Sequence, residues 1–238
     1  MLRQFLPLVL KESSTIAQVI VADNASKDGS AEYVRKEFPQ VTLIENNVNG
    51  GFAKGYNDCL KHVDADYLLL LNSDIEITPG YLQPLIDRLN SDPAIASVQP
   101  KILSYKRKTH FEFAGGASGF IDKYGFPFCR GRIFDTLEDD HLQYQNAGPV
   151  FWSSGACMLI RKNVFDDMNG FDEEFFAHME EIDLCWRMHN AGYKVYYEPT
   201  SVVYHIGGGT LASGNPRKTY LNFRNNILML HKIGRAHV

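Results

Sequence analysis

Much that would settle a protein's class early is missing from this 238-residue sequence. No hydrophobic run is long: continuous apolar stretches such as Tyr67 to Leu71 fall far short of the roughly 20 residues of a membrane-spanning helix. Four cysteines, Cys59, Cys129, Cys157 and Cys185, lie far apart. None forms a Cys-x-x-Cys pair, which argues against a zinc ribbon, and their scatter argues against a dense secreted disulfide framework. Reduced thiols in a cytosolic enzyme are the expectation. Neither sign of charge dominates: Lys+Arg 24 against Asp+Glu 28 gives −4, so general nucleic-acid binding is not expected. Gly 19 and Pro 10 are too few for collagen or low complexity. There is no G-x-G-x-x-G, no P-loop, no H-E-x-x-H and no internal repeat, which disfavours a dinucleotide-dependent dehydrogenase and a catalytic zinc site. The opening Met1 to Leu10 lacks the basic start and small-residue cleavage site of a signal peptide. It reads as an amphipathic helix packed on the domain.

What is present is ordinary globular composition, hydrophobic 45% and charged 22%. At roughly 150 residues per domain, one large domain, or one with an appendage, is expected. The first half alternates periodicities. Strands are expected at Gln18 to Ala22, Val41 to Ile44, Tyr67 to Leu71 and within Ile95 to Leu103. Helices are expected from Asp28 or Ser30 to about Glu37, from Phe52 to about His62, and from Pro79. This alternation indicates an open α/β sheet, largely parallel, in which ligands sit beyond the carboxyl ends of strands. Residues 104–150 are irregular and glycine-rich, as functional segments often are. Further on, a helix is expected over Glu180 to Ala191, strands at Lys194 to Glu198 and Ser201 to His205, and a last helix over Pro216 to Lys232.

Polar clusters fall at the strand ends. Asp23 and Asn24 can accept from ribose or base groups, or simply cap the next helix. Asn72-Ser73-Asp74 follows a strand that reads as buried on both faces; Asp74 suits Mg²⁺ or Mn²⁺, the structural alternative being an Asx turn. Asn49-Gly-Gly-Phe-Ala-Lys-Gly-Tyr-Asn57 permits close backbone approach at a helix start, or only a tight turn. In Phe175 to Arg187, a helix puts Glu180, Asp183 and Arg187 on one face, with Asp183 and Arg187 spaced for an ion pair. Glu181 points about 100° away. A carboxylate there can take a proton from a substrate hydroxyl, or merely favour the helix dipole. His205 ends a strand, where it can complete a metal site or serve structure.

In order, Val19 to Ser30, Asn49 to Asn57, Leu70 to Asp74, Ser154 to Arg161, Gly170 to Glu173, Phe175 to Arg187 and Val203 to Gly209 resemble the family 2 glycosyltransferases of the GT-A fold, particularly rhamnosyltransferase-like members. The resemblance covers residues 1 to about 233. It implies one GT-A (nucleotide-diphospho-sugar transferase) domain, an open mostly parallel sheet flanked by helices, with residues 1–103 as the nucleotide-binding half and 104–233 as the acceptor half. Residues 234–238 are expected to be a tail foreign to the domain. The implied activity is inverting transfer of a hexosyl or rhamnosyl group from a UDP-, dTDP- or GDP-linked donor to a glycan or lipid-linked hydroxyl, in bacterial cell-surface polysaccharide synthesis. Asp74 and His205 would hold a divalent metal, Mn²⁺ or Mg²⁺. Asp23, Asn24, Asn49, Asn57, Asn72 and Ser73 would bind the nucleotide. Glu181 is the base candidate with Glu180 beside it, and Trp152, Gly155 and Asp183 would face the acceptor. Inversion needs no enzyme nucleophile, so Ser153, Ser154 and Cys157 carry none.

One departure stands out. Family members begin with a strand that helps bind the base, and here Met1 falls where the following helix should start. Lacking that strand, the chain would be a catalytically impaired nucleotide-sugar binding module, the alternative to an active enzyme. A second copy could cover the exposed sheet surface, giving a homo-oligomer. A nucleotidyltransferase is a third reading, though no Gly-rich basic triphosphate loop is seen. Phe111, Phe113, Tyr124, Phe126 and Phe128 are expected mainly in the core. The expected location is the cytoplasm, with association at the cytoplasmic face of a membrane compatible but demanded by no basic amphipathic stretch.

Overall fold

A computed structural model describes residues 1–207 and 215–234. The N-terminal amphipathic stretch forms α1 (Leu2–Ser13) despite Pro7, burying Phe5 and Leu6. The alternation that follows gives β1 (Ile20–Asp23), α2 (Ser30–Glu37), β2 (Thr42–Glu45), α3 (Gly51–Leu60) and β3 (Tyr67–Leu71). Next come β4 (Ile75–Ile77), α4 (Leu82–Asn90) and β5 (Ile95–Ser104). Strand β4 was not expected. Helix α4 begins at Leu82 rather than Pro79, because Gly80, at φ 72°, turns the chain first.

The segment after β5 is built from short ladders: β6 (Gly119–Ile121) with β7 (Pro127–Cys129), and β8 (Arg132–Ile133) with β9 (Thr136–Leu137). Then follow β10 (Gly148–Val150), β11 (Cys157–Arg161), α5 (Lys162–Asp167), a 3₁₀ turn (Glu173–Phe175), α6 (Glu180–Asn190), β12 (Lys194–His205) and α7 (Pro216–Gly234). The two strands expected over 194–205 are one, interrupted by a register shift between Glu198 and Val202.

The main sheet runs β10-β12-β5-β11-β3, with β4 on the far end of β12. The long pair β5–β12 is parallel, and β11 lies antiparallel between β5 and β3, so β3, β5 and β12 point the same way. Side chains alternate across this sheet. Leu68, Leu70, Met158 and Ile160 enter a core shared with Ile182, Leu184, Met188 and Met229. Cys157, Leu159 and Val203 enter a second core with Leu82, Leu85 and Leu89 of α4. Both faces are thus covered, which is why β3 reads as uninterruptedly apolar. All four cysteines are free and buried.

β1 and β2 form a separate parallel pair. Among the described residues no strand is hydrogen-bonded between β1 and β3. A cavity of about 880 Å³ lies there, lined by every residue of both strands and by Met1, Leu2 and Phe5. Among the described residues, no helix is long and apolar enough to cross a membrane. The expected tail falls, beyond Gly234, outside the described residues.

Candidate active site

The turn after β3 carries Asp74 into β4, and β4 pairs antiparallel with the end of β12, placing His205 opposite Ile75. This register brings the two side chains together: His205 Nε2 donates to Asp74 Oδ1 at 3.1 Å, while Ile206 N donates to Asp74 O at 3.1 Å. Glu112 stands on the ring's other side, its Oε1 3.4 Å from His205 Nδ1. Nδ1 itself is inaccessible to water and has no hydrogen-bond partner. Burial disfavours the charged ring, but the Asp74 and Glu112 carboxylates outweigh it and raise the pKa to about 9. Asp74 is lowered on balance: burial pushes it up, and the His205 ring pulls it down further.

Asp74 and His205 fit a divalent cation. They pair a hard oxygen with an imidazole nitrogen, and the orphaned Nδ1 allows a proton on that nitrogen while Nε2 ligates. Among the described residues no group of three such side chains closes a cage.

At the carboxyl end of β1, Asp23 Oδ2 accepts from Ser26 N, and Asn24 donates to Gly51 O at 2.8 Å and Asn49 Oδ1 at 3.2 Å. Asn49 Oδ1 also takes Gly51 N, and Asn46 donates to Asn24 and to Gly55 O. The asparagines thus stitch β1, β2 and α3 into one rim. Gly55 is required there, since a Cβ would stand 2.8 Å from the Asn24 amide. Asn72 N donates to Ala156 O at 2.9 Å, tying the Asp74 turn to the Ser154–Ala156 loop, while Ser73 is exposed.

That loop leads to the acidic pair. Gly155 lies beside Glu181: a Cβ on it would be 3.8 Å from the Glu181 Cβ and 3.1 Å from Phe52. Glu180 and Glu181 open α6, and Oε2 of each is buried with no partner, as is His178 Nε2. Burial raises both carboxyl pKa values, and Glu180 is raised well above the usual range, with the Glu181 charge adding to it. Backbone N–H groups, Gly155's among them, hold Glu181 nearer to ionisation. Burial lowers the His178 pKa, keeping that ring neutral.

The stretch before the pair is strained, with Phe176, His178 and Met179 at φ 64°, 72° and 75°. It is held from two sides. Phe176 O accepts from Phe52 N at 2.6 Å, and Asn225 of α7 points its amide at the carbonyls of Phe175, Ala177 and His178. Gly51, at φ 84°, lets α3 come this close: a Cβ there would sit 2.2 Å from Phe176 O.

Three expected site residues are tied into the fold. Asn57 donates to Phe171 O and Glu173 Oε1 and accepts from Phe171 N. Asp183 is 2% exposed and bound to Arg187, which also donates to Met168 O and Gly170 O. Trp152 donates to Phe120 O and packs against Gly119, where a Cβ would overlap its ring. Of the five aromatics expected in the core, only Phe111 is buried; Phe113, Tyr124, Phe126 and Phe128 are exposed. Sequence reasoning missed Glu112, Asn46 and Asn225. Glu112 sits in the irregular 104–150 segment, and no spacing signals its approach to a residue in another strand.

The open α/β sheet flanked by helices is the fold of the GT-A glycosyltransferases. Residues 1–168 match the family described as "Glycosyl transferase family 2", and the chain belongs to that family. It is a glycosyltransferase. It is 26% identical, over 222 residues, to the "N-acetylglucosaminyl-diphospho-decaprenol L-rhamnosyltransferase" of Mycobacterium tuberculosis (strain ATCC 25618 / H37Rv), covering 86% of this chain and 71% of that protein. It is 22% identical to the "Low-salt glycan biosynthesis hexosyltransferase Agl10" of Haloferax volcanii, covering 92% of this chain and 69% of that one. GalNAc-T7, crystallised with UDP, GalNAc and Mn²⁺, shares the fold at TM-score 0.72 and 16% identity, over 97% of this chain and 45% of its own. The mannosyltransferase PcManGT of Pyrobaculum calidifontis, with GDP-Man and Mn²⁺, does so at TM-score 0.61 and 16% identity, over 96% and 61%.

Proposed function

We propose that the protein transfers a hexosyl or rhamnosyl group from a nucleotide-diphosphate donor to a hydroxyl of a glycan or lipid-linked acceptor, with inversion and with a divalent metal. The observation that carries this is the contact of Asp74 with His205 at the carboxyl ends of β3 and β12. A lipid-linked acceptor and rhamnosyl transfer are supported by the name of the mycobacterial relative, and a nucleotide-sugar donor by the ligands of the two structural neighbours.

In this reading Asp74 and His205 would hold a Mn²⁺ or Mg²⁺ ion, whose charge would offset that developing on the leaving diphosphate. Asp23, Asn24 and Asn49 form the nucleotide rim, with Asn72 and Ser73 at the diphosphate. Glu181 accepts the acceptor's hydroxyl proton. Glu180 beside it is the carboxyl that burial and the Glu181 charge raise more strongly, which favours its protonated form and a different role from Glu181. Gly155 keeps the approach to Glu181 open. No enzyme nucleophile is needed, and burial raises the Cys157 thiol out of reactive range.

The test is thermal stabilisation by UDP, dTDP, GDP and CMP, each with and without Mn²⁺, for the wild type and Asp74→Ala. A metal-dependent shift with one nucleotide, lost in Asp74→Ala, is expected. Nucleotide binding indifferent to both metal and Asp74 would overturn the metal-dependent reading. A second reading, binding without turnover, is favoured by the cavity between β1 and β3, which borders Asp23 and Asn24. Sugar release from a bound donor excludes it.

A further inference from the structure

Helix α7 has two unlike faces. Leu221, Asn225, Asn226, Met229 and Ile233 are buried, and Asn225 grips the loop in front of Glu180. On the other side Tyr220, Phe223 and Ile227 are 63%, 68% and 66% exposed. Their spacing of three and four residues places them in one stripe along the helix. The turn of the β6–β7 hairpin packs against α7 next to this stripe. Asn226 donates to Gly125 O at 3.1 Å, and a Cβ on Gly125 would meet Leu230 at 2.1 Å. Flanking that glycine, Tyr124 and Phe126 are 67% and 55% exposed. The turn does not owe this shape to chance packing: Asp122 caps it by accepting from Tyr124 N and Phe126 N.

Five large apolar side chains from two elements therefore share one outward surface, more than scattered surface residues account for. Helix α7 carries Arg217, Lys218, Arg224 and Lys232 and no acid of its own, in a chain whose net charge is −4. Lys232 is paired with Asp172 and Glu174, so the excess positive charge rests on Arg217, Lys218 and Arg224. Lys123 adds another cation at the hairpin turn, next to the Asp122 carboxylate that caps it. Aromatic and aliphatic residues bordered by Lys and Arg are the composition of a helix lying in the headgroup region of an anionic bilayer, not of one spanning it.

We propose that the outer face of α7 and the β6–β7 turn form a membrane-docking surface that seats on anionic lipid, with Tyr124, Phe126, Tyr220, Phe223 and Ile227 entering the headgroup boundary. The inner face of the same helix holds the Phe175–His178 carbonyls, so the lipid would lie about one helix diameter, ~10 Å, from the loop that presents the acidic pair. This placement rests on the lipid-linked acceptor proposed above; the docking itself does not require it.

The probe is co-sedimentation of the whole chain with vesicles of phosphatidylglycerol and phosphatidylcholine, and with phosphatidylcholine alone. The wild type is expected to pellet with the anionic vesicles, less with the neutral ones, and less at high salt. Phe223→Glu with Ile227→Glu, and separately Tyr124→Ser with Phe126→Ser, should each cut the bound fraction at least about fivefold while leaving Tm unchanged, since all four side chains face solvent. Wild-type protein that stays in the supernatant, or variants that bind as well as it does, would overturn the proposal. So would a wild-type dimer in sedimentation velocity that these substitutions dissociate without any vesicle binding, which would make the face an interface between two copies. Vesicle binding that persists when no nucleotide stabilises the protein leaves docking standing and removes the donor reading instead.

Discussion

His205 Nε2 stands 3.1 Å from Asp74 Oδ1, although 131 residues separate the two in sequence. The raised His205 pKa makes this pair a pH-dependent support of the metal-free protein. Between the unfolded value of 6.5 and the folded value of about 9, the folded state binds more protons than the unfolded one, so stability falls as pH rises through that window. The contribution, fully present below pH 6.5, is up to about 3 kcal/mol. Denaturation midpoints at pH 6.5 and 9.5 measure it. His205→Gln should flatten the difference, and an unchanged slope in that variant would assign it elsewhere.

Glu112 is expected to act on cations through His205. A carboxylate facing Nδ1 favours the tautomer that leaves Nε2 free, and loss of such a partner commonly weakens metal binding about 10–100-fold. Titration with Mn²⁺, read by the resonance of the free ion, should show that loss in Glu112→Gln. The same substitution made on top of His205→Ala should have almost no further effect. Equal losses in both backgrounds would mean that Glu112 acts on the fold, where its Oε2 accepts from Ala114 N at 2.6 Å.

The two acids at the start of α6 should respond differently. Glu181→Gln is expected to slow transfer about 10²–10⁴-fold with nucleotide binding intact, the range of a lost general base. Glu180→Gln should keep most activity and gain stability at pH 7. The sign follows from its raised pKa: the unfolded state releases that proton above about pH 4.5 while the folded state holds it, so the wild type is penalised as pH rises. Steady-state rates and urea midpoints for the pair decide it, and a larger rate loss in Glu180→Gln reverses the assignment.

Arg187→Ala should cost about 3–5 kcal/mol, because it strands the Asp183 carboxylate at 2% exposure. It also frees the carbonyls of Met168 and Gly170. Guanidinium unfolding gives the cost. For Asp183→Asn a fall in stability with an unchanged acceptor KM is expected, whereas a raised KM at constant stability would return Asp183 to the acceptor site.

Local chemistry made much of the fold legible. The apolar run at Tyr67 to Leu71, the polar residues after each strand and the glycine past α6 mark elements whose formation depends on near neighbours, and they are where the sequence put them. The order of motifs was enough to reach the family. Asp74 and the acidic pair, which the sequence offered as site candidates, each lie at the end of an element, as their flanking motifs predicted. What the sequence could not give was pairing between distant segments. Antiparallel β11 between β3 and β5, and β4 against the end of β12, are decided by which apolar faces the whole chain can bury at once. Those choices put Glu112 beside His205, turned Asn57, Asp183 and Trp152 inward as struts, and left Tyr220, Phe223 and Ile227 outside. In sequence a helical stripe of apolar residues looks the same whether it faces a core or a membrane; only the packed tertiary structure, by filling one face of α7 with Asn225 and Met229, determines which stripe remains uncovered.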